Sequence, residues 1–260
     1  MLGVSPIPAF DDNYIWLLRD PESPGSATLV DPGDEDPALA ALQAQGLELD
    51  AVLLTHHHYD HIGGVEALRA AFPQARVYGP KDVRIGTITD PVGEGDEVRL
   101  AGTARRFRVL EVPGHTSSHI AYLGESALFC GDTLFGAGCG RVFDGTFEQL
   151  AASLERISTL PPETLCYCAH EYTIANLGFA KWVEPESLEL AEREHAARAL
   201  REAGRPTVPS RLAEELATNP FLRTRVPGVK AVAEAACGRP LTTSAEVFAA
   251  LRRFKDEKYD

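Results

Sequence analysis

The sequence predicts an α/β protein in which a layered region of strands and helices is followed by a smaller helical region. Over the first two thirds of the 260 residues, short β-like runs alternate with helical ones, which is typical of layered α/β proteins. After about Tyr172 the strand patterns stop and the apolar spacing is helical to the end. We therefore expect two domains, residues 1–173 and 174–260.

The individual elements follow from local patterns. Two helices of the first region have recognisable ends. The first, "DPALAALQAQG", offers Asp36 as N-cap, Pro37 at the first helical position and Gly46 beyond the end. The second, "TFEQLAASLERISTLPP", offers a capping box of Thr146 and Gln149. Seven strands are expected from short apolar runs: "YIWLL" (14–18), "ATLVD" (27–31), "AVLLT" (51–55), "RFRVLEV" (106–112), "HIAYL" (119–123), "ALFC" (127–130) and "LCYCA" (165–169). Three helical patterns follow them: "NLGFAKWV", "PESLELAEREHAARALREAG" and "SAEVFAALRRFKDEKYD".

Composition and charge exclude several classes of function. A formal net charge of −13 argues against a nucleic-acid partner, which requires a cationic surface. The charge is uneven, because residues 1–173 carry 11 Lys and Arg against 25 Asp and Glu, whereas residues 174–260 carry 14 against 13. No apolar run approaches twenty residues and no secretory leader is recognisable, so we expect a cytoplasmic protein with no membrane partner. Five cysteines, an odd number, fit a reducing compartment. A monomer is expected, although the sequence does not decide it.

The stretch "LLTHHHYDHIGG" (53–64) concentrates metal-ligand side chains at the end of an expected strand. Imidazole and carboxylate are common ligands of zinc, iron and manganese. His56 and His58 are two apart in extended chain and therefore point to the same side. Asp60 and His61, in the turn into a helix, are placed to approach a second position nearby.

Three further strand ends carry residues of the same types, His115, Asp132 and His170. Open α/β layers assemble their sites at strand ends, so the sequence predicts a metal site built from five histidines and two aspartates. Asp31 is expected to support the ligands or a turn, and Cys168 to pack. His57, His119 and His195 are not expected to bind metal.

These motifs resemble the glyoxalase II family, also called hydroxyacylglutathione hydrolases, within the metallo-β-lactamase superfamily. The H-x-H-x-D-H element identifies only the superfamily, and the later stretches are more specific to the family. The resemblance covers essentially the whole chain and rests on "DNYIWLL" (12–18), "LVDPGD" (29–34), "THHHYDHIGG" (55–64), "PGHTSSH" (113–119), "FCGDTLFGAGCGR" (129–141), "HEYTIANLGFA" (170–180), "TNPFLR" (218–223) and "RRFK" (252–255).

The resemblance implies an αββα metallo-β-lactamase sandwich followed by a small all-helical C-terminal domain that binds substrate. It also implies two divalent metal ions per chain, with zinc expected first and iron or manganese as alternatives. One metal would be held by His56, His58 and His115, the other by Asp60, His61 and His170, and Asp132 would bridge them. Asp60 and Asp132 would be the catalytic carboxylates.

The activity implied by the resemblance is hydrolysis of S-D-lactoylglutathione and related S-2-hydroxyacylglutathiones by a metal-bridging hydroxide, the second step of methylglyoxal detoxification. The partner is thus a small glutathione thioester, and the products are D-lactate and glutathione. Arg252 and Lys255, on one helix face, and Tyr172 match family contacts to glutathione.

The chain departs from the family pattern in the loop after "GCG". Arg141 and Phe143 stand where relatives have Lys and Tyr. Phe143 cannot donate the tyrosine's hydrogen bond, which costs about 1 kcal/mol of binding. A second departure, Ser118 in place of a frequent glycine, is expected to have little effect.

Other functions stay open from the sequence. A lactamase, lactonase or nuclease of the superfamily would share the metal ligands, although such enzymes do not need "HEYTIANLGFA" or a basic C-terminal helix face. A persulfide dioxygenase uses the same fold with one iron on three ligands, so a full second ligand set disfavours it. A purely structural metal site would normally be coordinatively closed, whereas two metals bridged by one carboxylate leave coordination positions open, which disfavours this alternative.

Overall fold

The computed structural model describes residues 2–100 and 103–259, and the chain forms two compact units. Unit 1 comprises residues 1–111 and 118–131, and unit 2 comprises residues 112–117 and 132–260. This division reflects contacts between residues and does not test the domain boundary expected at 173, which stays a prediction. In the described part of the chain, no helix combines the length and apolar character that a membrane crossing requires.

Unit 1 contains a mixed six-stranded sheet in the order β1 to β6. The first two pairs of strands are antiparallel and the remaining three pairs are parallel. Three helices interrupt the strands. The elements are β1 (Gly3–Ala9), β2 (Asn13–Arg19), β3 (Ser26–Val30), α1 (Glu35–Gln45), β4 (Glu48–Leu53), α2 (Tyr59–Ile62), α3 (Val65–Ala71), β5 (Arg76–Pro80) and β6 (Asp90–Val92).

The strand β1 lies at the edge of this sheet and was not expected from the sequence. It contains Pro6 and Pro8, which pair in register with Trp16 and Tyr14 of β2. Proline lacks an N–H donor and is tolerated in edge strands, where one side of the strand needs no partner. The two prolines are two residues apart and therefore present their nitrogens to the same side of the strand.

Four antiparallel strands form the other sheet elements of unit 1, in the order β10, β9, β8, β7. Two hydrogen bonds link these strands to the end of β4: the Tyr122 hydroxyl donates to the Leu54 carbonyl at 2.9 Å, and the Ile120 amide donates to the Thr55 carbonyl at 2.9 Å. Ala38 and Leu42 of α1 and Val65 and Leu68 of α3 join the buried core of the first sheet. The strands are β7 (Glu97–Arg99), β8 (Arg106–Glu111), β9 (Ile120–Gly124) and β10 (Ala127–Gly131).

The helix α1 begins two residues earlier than the sequence predicts. Its N-cap is Asp34, whose side chain accepts a hydrogen bond from the Asp36 amide at 3.0 Å, so the expectation that Asp36 is the cap is wrong. The first-turn amides of a helix have no intrahelical acceptor, so Pro37 fits the third helical position as well as the first. The end is as predicted, with Gly46 in the left-handed conformation at φ 61°.

Unit 2 is mainly helical. Its first helix, α4, has the predicted capping box of Thr146 and Gln149. The three expected helical patterns after residue 173 are observed as α5, α6 and α9, and a two-residue strand, β14, also lies in this region and pairs with β13. The elements are β11 (Leu134–Phe135), β12 (Gly138–Cys139), α4 (Phe147–Ser158), β13 (Leu165–Cys168), α5 (Thr173–Val183), α6 (Leu188–Glu202), β14 (Ser210–Arg211), α7 (Leu212–Thr218), α8 (Pro227–Cys237) and α9 (Ser244–Phe254), followed by a π-helical turn (Lys255–Tyr259).

Aromatic side chains join the helices of unit 2. Phe179 of α5 packs against Phe221, with 5.8 Å between ring centroids, and against Tyr259, with 5.2 Å. Trp182 stacks on Phe254 of α9 at 4.2 Å. The C-terminal residues are therefore fastened to α5 by ring contacts.

Candidate metal centre

In unit 1 the predicted ligands lie on a segment that we call the histidine loop, residues 55–64. It begins just after β4 and runs through α2. His56 and His61 are fully buried. Nε2 of His56 lies 3.0 Å from Nδ1 of His58, so these two rings do face the same side, as the extended spacing predicts. His56 and His61 also offer ligand atoms within 4.8 Å of each other.

Asp31, at the end of β3, orients the two buried histidines. Its Oδ2 accepts from the Thr55 hydroxyl at 2.7 Å and from Nδ1 of His61 at 3.0 Å. The Thr55 hydroxyl in turn lies 3.0 Å from Nδ1 of His56, and its proton is already directed to Asp31, so it accepts from that ring nitrogen. Asp31 thus fixes the tautomer of both rings with Nε2 unprotonated, as carboxylates do behind metal-binding histidines. These are the hydrogen bonds that the expected supporting role of Asp31 requires, whereas Thr55 was missed.

The other side chains of the histidine loop are held from neighbouring segments of unit 1. Asp60 accepts from Nδ2 of Asn13 at 2.9 Å and places Oδ2 at 3.4 Å from Nε2 of His61. His57 turns instead towards Asp82, at 3.7 Å. His119 stacks on His56, with ring centroids 4.6 Å apart and planes 18° from parallel.

In unit 2, two of the three remaining predicted ligands, His115 and His170, face one carboxylate oxygen of the third, Asp132. Oδ2 of Asp132 lies 3.4 Å from Nε2 of His115 and 3.5 Å from Nε2 of His170. All three side chains are buried. Asp132 therefore faces both imidazole nitrogens, and its expected bridging role stays a prediction.

The hydrogen bonding of both groups of predicted ligands, those of the histidine loop and those around Asp132, fits a bound cation. Nδ1 of His115 lies 2.8 Å from the Arg141 carbonyl oxygen, which can only accept, so this nitrogen carries the proton and a neutral His115 turns the lone pair of Nε2 towards Asp132. The same reasoning applies to His61, which donates from Nδ1 to Asp31 and turns Nε2 towards Asp60. A lone pair that faces a carboxylate at such a distance is repelled unless a positive charge lies between them. Divalent metal ions suit these nitrogen and oxygen donors.

The predicted substrate residues Arg141, Phe143 and Tyr172 surround the unit 2 cluster. Tyr172 stacks on His170, with ring centroids 4.7 Å apart and planes 5° from parallel. Phe143 is exposed, packs edge-on against His115 at 5.2 Å, and donates its amide hydrogen to the His115 carbonyl at 3.0 Å. The Arg141 side chain is 54% exposed, and its Nε lies 3.6 Å from Oδ1 of Asp256.

Arg252 and Lys255, in contrast, are both buried. Arg252 donates from Nε and an Nη to Oδ1 of Asp256, at 3.1 and 2.8 Å, and from its other Nη to the Cys139 carbonyl at 3.0 Å. Burial disfavours its charge, but the attraction of Cys139 and Asp256 outweighs this effect and raises the pKa of Arg252. The expected contact of this pair with glutathione stays a prediction, and Arg252 also has a structural role.

Cys168 packs as expected. Its thiol donates to the His170 carbonyl at 3.5 Å, and burial raises the pKa of Cys168 to about 12. The thiol therefore stays protonated at neutral pH, whereas a metal ligand would be a thiolate. His195 lies exposed on α6.

Comparison with known proteins identifies the family. A model described as the metallo-β-lactamase superfamily matches residues 9–170, and a model described as the hydroxyacylglutathione hydrolase C-terminus matches residues 171–258. A protein of Alkalilimnicola ehrlichii named hydroxyacylglutathione hydrolase is 52% identical over 257 residues, which are 99% of this chain and 100% of the relative. The chain belongs to the hydroxyacylglutathione hydrolase family. A protein of the same name from Xanthomonas axonopodis pv. citri is 51% identical, covering 96% of this chain and 97% of the relative.

Solved structures agree with the hydroxyacylglutathione hydrolase assignment at the level of the superfamily. The crystal structure of ETHE1 from Myxococcus xanthus matches with a TM-score of 0.69 and 28% identity, over 100% of this chain and 93% of that one. The crystal structure of the BLEG-1 B3 metallo-β-lactamase matches with a TM-score of 0.62 over 85% of this chain and 99% of that one, and at 24% identity it shows the fold alone. The predicted fold class, family and enzymatic nature of the chain are confirmed.

Proposed function

We propose that this protein hydrolyses S-D-lactoylglutathione, and related S-2-hydroxyacylglutathiones, to the hydroxy acid and glutathione. The observation that carries the proposal is the match to relatives named hydroxyacylglutathione hydrolase over 99% of the chain, the C-terminal region included. A β-lactamase or another hydrolase of the superfamily has no need of that C-terminal region.

Two divalent metal ions, with zinc first, would be held by the seven predicted ligands. We assign His56, His58 and His115 to one ion, Asp60, His61 and His170 to the other, and Asp132 to both. Three of these histidines are hydrogen-bonded at Nδ1: His56 to Thr55, His61 to Asp31 and His115 to the Arg141 carbonyl. In each ring Nε2 is therefore the nitrogen left for a metal ion, which supports these assignments.

The chemistry requires a strong nucleophile at neutral pH. When bound, divalent cations supply it by lowering the pKa of a water molecule towards neutrality, and they polarise the thioester carbonyl. Asp60 and Asp132 are the two carboxylates of the ligand set, and we assign them to orienting the attacking water. As the carbon–sulfur bond breaks, glutathione leaves as a thiolate, whose basicity is low enough that no residue has to donate a proton.

Glutathione carries negative charge, which a protein with a formal charge of −13 would repel without local cations. Arg141 is an exposed cation whose backbone carbonyl contacts His115 and whose Nε lies 3.6 Å from Asp256, and a planar guanidinium can bind a substrate carboxylate through two parallel hydrogen bonds. We assign Arg141, Phe143, Tyr172, Arg252 and Lys255 to substrate binding. Tyr172 is the hydrogen-bonding member of this set, and Phe143 contributes only an apolar ring.

We propose that this function is divided between a catalytic domain, residues 1–173, and a substrate-binding domain, residues 174–260. The junction of the two family models at 170/171 supports this division. The acidic composition supports a small-molecule partner and disfavours nucleic acid. We further propose that the enzyme works as a cytoplasmic monomer.

The test is the rate of hydrolysis of S-D-lactoylglutathione, followed by loss of thioester absorbance, compared with a simple non-glutathione thioester and a β-lactam. Metal content is determined on the same sample. Selective turnover of the glutathione ester with about two metal ions per chain is the expected result. A metal-loaded protein that prefers the β-lactam or the simple thioester contradicts the proposed substrate.

A further inference from the structure

Side chains from four places in unit 2 hold the backbone of one short hairpin, residues 134–139, formed by β11 and β12. Asn176 of α5 donates to the Gly136 carbonyl at 3.1 Å, and the Ala137 amide donates to Glu215 of α7 at 2.9 Å. The Gly138 and Cys139 carbonyls accept from Asn219 at 2.9 Å and from Arg252 at 3.0 Å. Four consecutive residues of the hairpin are therefore fixed by side chains of the helical region.

The contacts are buried and tightly packed, so water cannot replace them. Glu215 and Asn219 are fully buried, and Asn176 is nearly so. A Cβ atom at Gly136 would lie 2.2 Å from the Thr173 hydroxyl, and one at Gly138 would lie 2.4 Å from Nδ2 of Asn176. A backbone group buried at such a place destabilises the protein if its hydrogen-bond partner is removed.

Glu215 is the centre of this arrangement because both of its oxygens are used. Oε2 accepts from the Ala137 amide and, at 3.0 Å, from Nδ2 of Asn219. Oε1 pairs with the buried guanidinium of Arg193 from α6. Ala137 itself has φ 54°, a left-handed conformation that alanine rarely adopts, and the bond to Glu215 holds it there.

The hairpin lies between two residues of the proposed site, Asp132 and Arg141. Its Phe135 ring packs edge-on against His170, with 5.7 Å between centroids, and against Tyr172, with 5.2 Å. A shift of the hairpin therefore displaces the stacked pair of His170 and Tyr172 and redirects the chain that leads to Arg141.

We propose that Glu215 is a positioning residue for the glutathione thioester: through the hairpin it sets the places of Tyr172 and Arg141 without touching substrate. This assignment rests on the proposed function. The helical region then has a second role besides any direct contact with glutathione. It holds in place the hairpin, which precedes that region in the sequence.

The variant Glu215→Gln tests the assignment. An amide keeps the size of the side chain but has only one accepting oxygen, so it cannot accept from both Arg193 and Ala137. Displacement of binding groups by about 1 Å costs up to 100-fold in rate. We expect KM for S-D-lactoylglutathione to rise about ten-fold or more, metal content to stay unchanged, and amide hydrogen exchange to accelerate in peptides that cover residues 133–141.

Glu214→Gln is the matched control. Glu214 neighbours Glu215 in sequence and approaches the same Arg193 at 3.5 Å, but its side chain is 46% exposed. We expect wild-type KM and wild-type exchange for this variant. A purely structural role of Glu215 would lower the folded fraction, and with it kcat, while KM and the exchange of folded molecules stay constant; that result overturns the proposal.

Asn176→Ala provides a second test that does not unpair Arg193, and it decides the matter if the Glu215 variant does not fold. It removes the donor to Gly136, so KM should rise and hairpin exchange should accelerate, and an unchanged KM counts against positioning by the hairpin. Failure of the proposed function is separate, because the wild-type protein itself would then not hydrolyse the glutathione ester.

Discussion

Replacement of Asp31 by Asn should weaken metal binding without disturbing the fold of the surrounding backbone. Asn has nearly the same size as Asp and tolerates the left-handed conformation, φ 50°, in which Asp31 is held. Its amide oxygen can still accept from the Thr55 amide, as Oδ1 of Asp31 does at 2.8 Å. Its NH₂ group cannot accept from the Thr55 hydroxyl or from Nδ1 of His61, so two hydrogen bonds behind His56 and His61, the proposed ligands, are lost.

The expected magnitude follows from those two bonds. A hydrogen bond to a charged group contributes about 1.5–3 kcal/mol, so loss of the two bonds should lower the free energy of unfolding of the metal-free protein by about 3–6 kcal/mol. Loss of a carboxylate that supports ligand histidines typically lowers metal affinity by about 10- to 100-fold, which corresponds to about 1.4–2.8 kcal/mol. The affinity loss should exceed any change in KM, because the hydrogen bonds of the Asp31 carboxylate go to Thr55 and His61, behind the predicted metal ligands.

The assay is competition for zinc against a chromophoric chelator, combined with chemical unfolding of the metal-free protein. Asp34→Asn is the matched control, since it removes the same charge three residues away and Asn caps a helix as well as Asp does. An Asp31→Asn protein that holds zinc as tightly as the control would refute the role of Asp31 in orienting His56 and His61.

Three further results are expected. Asp132→Ala should abolish turnover and lower the metal content per chain, since one carboxylate faces both His115 and His170; near-normal metal and rate would contradict a bridging role. Phe143→Tyr should lower KM about five-fold by adding one hydrogen-bond donor of about 1 kcal/mol, with kcat and metal content constant. Hydrogen bonds, first from the Thr242 side chain and then from its backbone and from Arg239, lower the pKa of Glu246 to about 2 from its ordinary 4.5. The folded-state pKa is depressed, so this stabilisation is present above pH 4.5 and disappears as the pH falls towards 2; Tm values of wild type and Glu246→Gln should differ at pH 7 and converge below pH 3.

Much of the layered region was predictable because its strands are apolar runs bounded by turns. All seven expected strands are present, six of them within one residue at each end, whereas β4 begins three residues earlier than expected. The strands β1 and β5 were missed, and the two prolines of β1 are typical of non-strand segments. The strands β7, β11, β12 and β14 have only two or three residues, so their conformation depends on pairing and not on local pattern. Asp34, the observed N-cap, and Asp36 both precede the same proline at a permissible distance, so the local pattern does not distinguish them.

The candidate ligand residues could be recognised in the sequence, whereas the groups that orient them could not, apart from Asp31. His56, His58, His115 and His170 stand at strand ends, a position visible in one sequence. The partners that orient them come from segments without such a signal: the Thr55 hydroxyl adjoins His56, but the Arg141 carbonyl that fixes His115 is a backbone atom 26 residues away. Glu215 resembles any acidic residue of an amphipathic helix in the sequence, and only its burial reveals that it is different.

The hairpin at 134–139 also has a consequence for biosynthesis. The side chains that hold its backbone lie between 40 and 113 residues further along the chain. On the ribosome, where chains grow from the N-terminus at roughly 5–20 residues per second, the hairpin emerges several seconds before Arg252. A nascent chain can therefore complete the histidine loop early, while the hairpin next to Asp132 acquires its last backbone partner only after Arg252 has been synthesised.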